Sequence, residues 1–187
     1  KGTTPGPVGD TLHALVNVLG VIPKTGLFDT ASYAAEVTWS RWDKVKSGAN
    51  LFNAVGYAAC TFAGRTGDKW DGCATKDHVG LAINFTPVWF QALPGVDLFL
   101  PMSWSQTLAG NSPLVLGGNE RNGTYSIGLG ADYLPKYRFD LKYVDFFGRT
   151  KSGVDAVSGL PAVTSINGLS TLLKDRGHVV LTFKTTF

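Results

Sequence analysis

The sequence predicts an all-β fold, an antiparallel transmembrane β-barrel to which this chain contributes about seven strands. Segments of about ten residues alternate apolar and polar side chains, which is the pattern of strands that face lipid on one side and a wet lumen on the other. Glycine occurs 23 times, aromatic residues make up 12% of the chain and charged residues only 17%. No apolar run approaches the roughly 18 residues that a membrane-spanning helix needs. Residues 1–187 are therefore interpreted as a single barrel segment.

The carboxyl-terminal segment, residues 177–187, has a clear alternation and ends on an aromatic residue. Its similarity to the last strand of outer-membrane barrels implies that the apolar side faces lipid. The same similarity implies that this side is the signal recognised by the outer-membrane insertion machinery. The edge strand of a soluble sandwich is the alternative. The predicted signal residues are Val179, Leu181, Phe183 and Phe187.

Two neighbouring segments strengthen the barrel prediction. Residues 125–133 place aromatic and aliphatic side chains on one face, with Ser, Gly and Asp on the other. Residues 137–143 repeat the pattern with charged side chains on the polar face. Because unpaired charges are costly to bury, that face needs water or opposite charges. The other predicted strands are residues 11–22, 31–42, 79–90 and 97–106.

A polar lumen face follows from this alternation. Opposed charges on a lumen wall set a transverse field and tune selectivity. The alternative is that these charges only neutralise one another and hold adjacent strands together. Pro101 cannot donate to a sheet ladder, so we expect a bulge or a local edge there. The predicted lumen-facing residues are Thr86, Ser103, Ser126, Asp132, Arg138, Asp140, Lys142 and Lys184.

Aromatic side chains lie near the ends of the predicted strands. Such rings collect at the two membrane interfaces of a barrel and form girdles. Core rings of a soluble sandwich, the alternative, would more often sit in mid-strand. The predicted girdle residues are Trp39, Trp42, Trp89, Phe90, Tyr133, Tyr137, Phe146 and Phe147.

Connection lengths predict an orientation. Long and short connections alternate along the chain, and outer-membrane barrels have long external loops and short periplasmic turns. The carboxyl terminus is thus expected on the periplasmic side of a bacterial outer membrane. Seven strands cannot close a single-chain bacterial barrel, which needs an even number. The chain is therefore interpreted as the carboxyl-terminal portion of a larger barrel, with residues 51–62 as an alternative eighth strand.

Two cysteines, Cys60 and Cys73, lie in one predicted external loop. Their spacing lacks the paired Cys-x-x-Cys knuckles of a zinc site. A disulfide is expected to close this loop in an oxidising compartment, and two free buried thiols are the alternative.

Charge and motif content disfavour several other functions. The net charge of +3 is spread along the chain, so nucleic acid is not an expected partner. Basic residues in the predicted loops would neighbour lipopolysaccharide phosphates, although solvated loop charges are the commoner explanation. No metal-ligand spacing or cofactor motif is recognised. No enzyme is expected, because only His13, His78 and His178 are available as histidine bases and no Gly-x-Ser-x-Gly motif accompanies them. His178 is expected to hydrogen-bond Asp175 at a strand end.

Several motifs in combination resemble an uncharacterised family of Gram-negative outer-membrane proteins. The resemblance covers most of the chain from about Ala31 onward, and members of the family are longer. Members are often encoded beside RND-type (MMPL-like) exporters and an outer-membrane lipoprotein. The resemblance implies a membrane barrel and traffic of hydrophobic compounds, and it provides no catalytic residues. The motifs are residues 85–90, 93–98 with Pro101, 110–113, 139–148 and 175–187.

The leading functional hypothesis is passage of small hydrophobic molecules across the outer membrane. The alternative is a non-transporting scaffold that docks a lipoprotein or a periplasmic partner. The apolar stretch 163–173 in the last long loop supports docking, or a plug that folds into the lumen. Outer-membrane lipids, lipopolysaccharide and the remaining strands of a longer chain are the other expected partners.

Overall fold

The protein forms one large antiparallel sheet, with the long loops gathered at one end of its strands. The computed structural model describes residues 6–61, 67–114, 117–154, 157–166 and 169–186. The prediction of an all-β, antiparallel fold is confirmed. The strands are β1 (Val8–Ile22), β2 (Thr30–Ser47), β3 (Asp77–Leu93), β4 (Val96–Phe99), β5 (Met102–Ala109), β6 (Gly123–Tyr133), β7 (Tyr137–Phe147), β8 (Thr150–Val154), β9 (Pro161–Ile166) and β10 (His178–Thr185).

Neighbours in the large sheet follow the chain, in the order β1, β2, β3, β4 with β5, β6, β7 and β10. Each pair of neighbouring strands described in this sheet is antiparallel. β1 and β10 are the two edges, and no pairing joins them among the described residues. Strands β8 and β9 form a separate hairpin within the last long loop. The seven predicted strands are all present, with β4 and β5 in place of the single strand expected at 97–106.

Of the bulge or local edge expected at Pro101, the structure contains no bulge: the ladder is interrupted between β4 and β5. On β3, Val88 pairs with Phe99 and Phe85 pairs with Met102, so the register is the same on both sides of the break. The cause of the break is that two prolines meet there. Leu100 donates to the carbonyl of Pro87 at 3.0 Å, but neither Pro87 nor Pro101 has an N–H to donate in return. The register shift in this part of the sheet lies instead between Trp89 and Leu93.

The alternative eighth strand at residues 51–62 is wrong over its described part. That segment contains the end of one 3₁₀ helix, Ala49–Leu51, and a second one, Ala58–Cys60. It is held by a small apolar cluster in which Phe52, Ala54 and Ala74 are buried. A parallel bridge joins Ala54 to Ala74, so the segment folds back on its own loop rather than adding to the sheet.

One face of the sheet is apolar and exposed. Because paired residues share a face, the pairs Val37–Leu81, Ile127–Tyr143 and Leu141–Leu181 place their side chains on the same side. We call this side the apolar face and the opposite side the polar face. On the apolar face, Leu129 is 53% exposed, Leu141 51% and Leu181 74%. Within the described ranges, no second sheet or helix is packed over these residues.

Aromatic rings on the apolar face form two groups at opposite ends of the strands. At the loop end Trp104 contacts Tyr125 and Phe147, with ring centroids 6.0 and 4.8 Å apart. At the turn end Tyr137 stacks on Tyr133 at 6.4 Å and on Phe183 at 6.3 Å. The predicted residues Trp39, Trp89, Tyr133, Tyr137 and Phe147 lie on the apolar face.

Three predicted girdle residues do not belong to the apolar face. Trp42 packs edge-on against Phe52, at 5.3 Å, because it closes the apolar cluster of the first long loop. Phe146 shares the polar face with Thr124 and lies 6.2 Å from the ring of His178. Phe90 lines the groove on the polar face described below. Among the described residues, no helix is long and apolar enough to cross a membrane.

Candidate functional site

The polar face carries all eight residues predicted to face the lumen. Strand register places them there: Ser103 pairs with Ser126, Asp132 pairs with Arg138, and their neighbours two residues along point the same way. They line one groove of 630 Å³ at the turn end of the sheet. The hydroxyls of Ser103 and Ser126 are 2.7 Å apart and link β5 to β6. These residues are Thr86, Ser103, Ser126, Asp132, Arg138, Asp140, Lys142 and Lys184.

Four charged residues form a row across the groove. Asp97 on β4 lies directly opposite Asp132 on β6, Asp132 opposite Arg138 on β7, and Arg138 opposite Lys184 on β10. Carboxylates therefore occupy one half of the row and cations the other half. Such a separation produces a field that runs across the groove, parallel to the sheet.

Arg138 is the most constrained side chain of the row. Its Nε and Nη2 atoms donate to the two carboxylate oxygens of Asp132, both at 2.7 Å. Its guanidinium also lies 4.6 Å from the ring centroid of Phe99. The ring in turn occupies the space above Gly130, where a Cβ atom would be 2.0 Å from the ring carbon Cζ. Arg138 is thus held by charge on one side and by an aromatic ring on the other.

The groove also has an apolar wall that is not among the features predicted from the sequence. Val88 and Phe99 are paired on the polar face of β3 and β4, and Phe90 and Pro101 extend the same wall. Phe99 is 9% exposed and so is one of the few buried apolar side chains of the sheet. Their sequence positions carried the signal, because residues next to Trp89 and Leu98, which are on the apolar face, must point to the polar face.

A second cavity of 360 Å³ lies on the polar face toward the loop end. His78 lines it, and its ring nitrogens contact the hydroxyls of Ser40 at 3.4 Å and Thr107 at 3.3 Å. Gly118, from the loop 110–122, comes so close that a Cβ atom there would be 1.9 Å from Thr107 Oγ1. This loop therefore folds inward over the polar face and narrows that end of it.

The described parts of the three long connections, 48–76, 110–122 and 148–177, are joined by hydrogen bonds and ion pairs into what we call the loop cap. Asn111, which is fully buried, is central to it. Its side-chain amide donates to the carbonyls of Lys69 at 2.5 Å and Cys73 at 2.8 Å, and its side-chain oxygen accepts from the backbone N–H of Glu120 at 2.9 Å. Its backbone N–H also donates to Thr75 Oγ1 at 2.7 Å. One side chain thus ties two loops together.

Ion pairs complete the loop cap. Lys69 Nζ lies 2.7 Å from both carboxylate oxygens of Glu120. Desolvation raises the pKa of Glu120, but hydrogen bonds from Lys69 and from the N–H of Gly110 outweigh it, so the net pKa is lowered. Lys151 on β8 donates to Asp71 at 2.8 Å, and this bond, opposed by desolvation and supported by Asp68, raises the pKa of Lys151. The last loop is thereby attached to the first.

The predicted disulfide between Cys60 and Cys73 is confirmed. Both residues are fully buried, and their Cα atoms are 5.8 Å apart. A loop closed over 13 residues stabilises the folded state by about 3 kcal/mol in the chain-entropy description.

The predicted insertion signal lies at one edge of the sheet. Val179, Leu181 and Phe183 share the apolar face, where the ring of Phe183 is 4.9 Å from that of Phe139. Phe187 lies outside the described residues. The expected bond between His178 and Asp175 is not formed: His178 Nδ1 contacts the carbonyl of Arg176 at 3.2 Å, because the chain turns just before β10.

The three histidines do not meet at one site: His13 and His78 flank Ser40 and line a further cavity of 380 Å³, whereas His178 does not line it. His13 contacts Thr11 at 3.0 Å on β1, His78 lies in the second cavity, and His178 is at the start of β10. Within the described ranges, no group of three or more His, Cys, Asp or Glu side chains is arranged to hold a metal ion.

The fold and the groove define the chain as an all-β protein built on one antiparallel sheet, with an exposed apolar face and a charged face opposite. Residues 3–187 match the family described as Protein of unknown function (DUF1302). The chain therefore belongs to this family. No curated protein and no solved structure matches the chain.

Proposed function

We propose that the protein is part of a bacterial outer-membrane β-barrel whose polar face lines a passage for small molecules. The observation that carries this proposal is the division between the two faces of the sheet. Leu129 and Leu141 are paired on one face and about half exposed, whereas Asp132 and Arg138 are paired on the other. Lipid outside and water inside would satisfy both faces at once.

The two aromatic groups support a bilayer around the apolar face. Tyr125 and Tyr133 belong to opposite groups on β6, and eight residues of strand span about 26 Å. A strand tilt of about 40° reduces this to about 20 Å, close to the apolar band of about 25 Å in outer-membrane barrels. The indole N–H groups of Trp39 and Trp89 bond to Asp77 and to the Leu27 carbonyl at the strand ends, as girdle tryptophans do at an interface.

The edges of the sheet support a larger barrel. β1 and β10 do not pair with each other, and an unpaired edge in a bilayer would leave backbone groups without hydrogen bonds. Further strands of a longer chain would satisfy both edges. In this arrangement the short turns at 23–29, 94–95 and 134–136 face the periplasm, and the loop cap lies outside the cell.

Passage through the barrel is the function that fits the groove. Its charged row and its apolar wall lie on the same face, so a solute would meet both on its way through. Hydrophobic or amphipathic cargo suits such a wall better than a small inorganic ion does. The loop cap narrows the external end, which would slow nonspecific leakage.

Conductance of the full-length protein in planar lipid bilayers tests this function. Discrete conductance steps are expected, together with reduced uptake of apolar solutes by cells that lack the gene. A full-length variant with Gly118→Trp, placed where the loop approaches Thr107, should reduce the conductance. Gly26→Trp is the matched control, because Gly26 lies in the first turn and a Cβ atom added there would have no neighbour within 4 Å. Absence of both conductance and an uptake defect would refute passage.

A scaffold that docks a lipoprotein or another partner is the second candidate. The observation that favours it is the tip of the β8–β9 hairpin, where Val154 is 66%, Val157 97% and Leu160 64% exposed. Exposed apolar residues that project from a loop are typical of a docking surface. Stoichiometric co-purification of a partner that is lost with Val157→Ser and Leu160→Ser, without any uptake defect, would favour this candidate.

A further inference from the structure

The groove contains two cations that have no anionic partner in the described structure. Arg138 is paired with Asp132, to which its Nε and Nη2 atoms both donate. Lys142 on β7 and Lys184 on β10, by contrast, form no hydrogen bond or ion pair among the described residues. Both side chains line the groove and are exposed to it.

Asp140 lies between these cations but does not neutralise them. It is on the same face of β7, two residues from Lys142 and two from Arg138. With Arg138 balanced by Asp132, the β7–β10 side of the groove keeps two lysines against one carboxylate. This side therefore has an excess of one positive charge, and it attracts an anion.

The opposite side of the groove has a different chemistry. There the apolar wall of Val88, Phe90 and Phe99 lies on β3 and β4. Three interstrand spacings separate β4 from β10, which corresponds to about 14 Å along the sheet. A ligand that uses both sides must accordingly be elongated, with an apolar end and an anionic end.

We infer that the groove binds an elongated amphiphile with an anionic head group, held at Lys142 and Lys184, and an apolar body that lies against Phe99 and Val88. This inference rests on the proposed function, because it takes the groove as the inner face of the barrel. Two lysine ammonium groups suit a carboxylate, a sulfate or a phosphate monoester. Asp97 and Asp132 repel the head group from the other half of the charged row, which fixes the orientation of the ligand.

Binding of decanoate to the full-length protein in an uncharged detergent, measured by equilibrium dialysis, tests the inference. The variant with Lys142→Gln and Lys184→Gln should lose at least about tenfold in affinity for decanoate, since two charge-assisted hydrogen bonds are removed. Decanol, which lacks the charge, should bind the wild type and this variant equally. The matched control changes Lys44 and Lys174 to Gln; both are exposed, neither lines the groove, and the net charge falls by the same amount.

A gain of affinity provides a second measurement that a misfolded variant cannot imitate. Asp140→Asn removes the carboxylate that lies beside the two lysines and should tighten decanoate binding while leaving decanol binding unchanged. Unchanged decanoate affinity in the lysine variant, an equal loss in the control pair, or an equal loss for decanol would overturn the inference. If no conductance is found but decanoate binding depends on the lysines, the passage function fails and the binding site stands. If conductance is found but decanoate binding does not depend on the lysines, the passage function stands and the binding site fails.

Discussion

Arg138 and Asp132 face each other across β7 and β6 and form a two-point ion pair, with both N–O distances at 2.7 Å. Both side chains are more than a third exposed, so the pair is partly screened by water. The two residues are nevertheless directly opposite each other in the strand register. The ion pair therefore holds β6 and β7 together at the centre of the charged row.

We expect Asp132→Asn to lower the free energy of unfolding by about 1 kcal/mol, because one charged partner is lost and the geometry is bidentate. Urea titration of the full-length protein folded in lipid vesicles measures this. Asp140→Asn is the control, since Asp140 has no hydrogen bond among the described residues. Equal losses for the two variants would mean that the ion pair contributes nothing specific.

Gly130 and Phe99 provide a second prediction. A methyl group at Gly130 would collide with the ring of Phe99, which lies beneath the guanidinium of Arg138. Gly130→Ala should therefore lower the free energy of unfolding by about 2 kcal/mol. Gly26→Ala, with no atom within 4 Å of its Cβ, should have almost no effect.

A double-mutant cycle isolates the contact between these two residues. In a Phe99→Ala background the ring is gone, so Gly130→Ala should cost less than about 0.5 kcal/mol. If Gly130→Ala lowers the free energy of unfolding as much in that background as in the wild type, the added methyl group collides with the backbone rather than with the ring.

Asn111 is predicted to determine the stability of the loop cap. Asn111→Ala removes the bonds to Lys69, Cys73 and Glu120 and leaves buried backbone groups unpaired, which should cost about 3 kcal/mol. Limited proteolysis of the loops and thermal unfolding measure the change. Asn53→Ala is the control, because Asn53 is exposed and the hydrogen bond from its side-chain amide to the Gly72 carbonyl is long, at 3.4 Å. Similar protease resistance in both variants would contradict a central role for Asn111.

The strands and their faces were predictable because each depends on local alternation. In residues 125–133 every second side chain points to one face whatever the partner strand is, so Ser126 and Asp132 were assigned together. The turns at 94–95 and 134–136 follow from proline and glycine. Local alternation does not decide whether such a sheet closes into a barrel, and β1 and β10 do not pair with each other among the described residues.

The loop cap was not predictable for the opposite reason. Asn111 bonds to residues 42 and 38 positions away, Lys69 and Cys73, and no periodic pattern marks such a contact. Trp42 fits a girdle in the sequence because it ends the predicted strand 31–42. Only the structure shows that β2 continues to Ser47 and that Trp42 packs against Phe52. The β8–β9 hairpin contains Gly and Pro and has no clear alternation.

The Lys69–Glu120 ion pair predicts a response to acid. The pKa of Glu120 is lowered below its usual value of 4.5. Its contribution to the free energy of unfolding is therefore fully present above pH 4.5 and disappears as the pH falls through the lower pKa of the folded state. Wild type should therefore exceed Glu120→Gln in thermal stability at neutral pH, and the two should converge in acid. In a Lys69→Met background the difference at neutral pH should be smaller. A difference that does not depend on pH would show that Glu120 acts by packing alone.

Leu181 and Thr182 are adjacent on β10 and point to opposite faces, so they test what surrounds the sheet. Leu181 is already 74% exposed to the surroundings. If water surrounded the apolar face, Leu181→Arg would change stability by no more than about 0.5 kcal/mol, as most surface substitutions do. If lipid surrounds it, an arginine near the bilayer midplane should cost about 2–4 kcal/mol.

Thr182→Arg is the matched control, because it places the same side chain one residue along on the polar face. Water in a lumen would solvate it, and Asp140, its direct partner on β7, would attract it. We therefore expect Leu181→Arg to impair folding into lipid vesicles and Thr182→Arg to leave it nearly unchanged, measured by urea titration and by heat-dependent mobility in gels. If Leu181→Arg folds as well as wild type while Thr182→Arg fails, the two faces are assigned the wrong way round. If both are tolerated, no bilayer surrounds this edge of the sheet, and the barrel proposal fails with it.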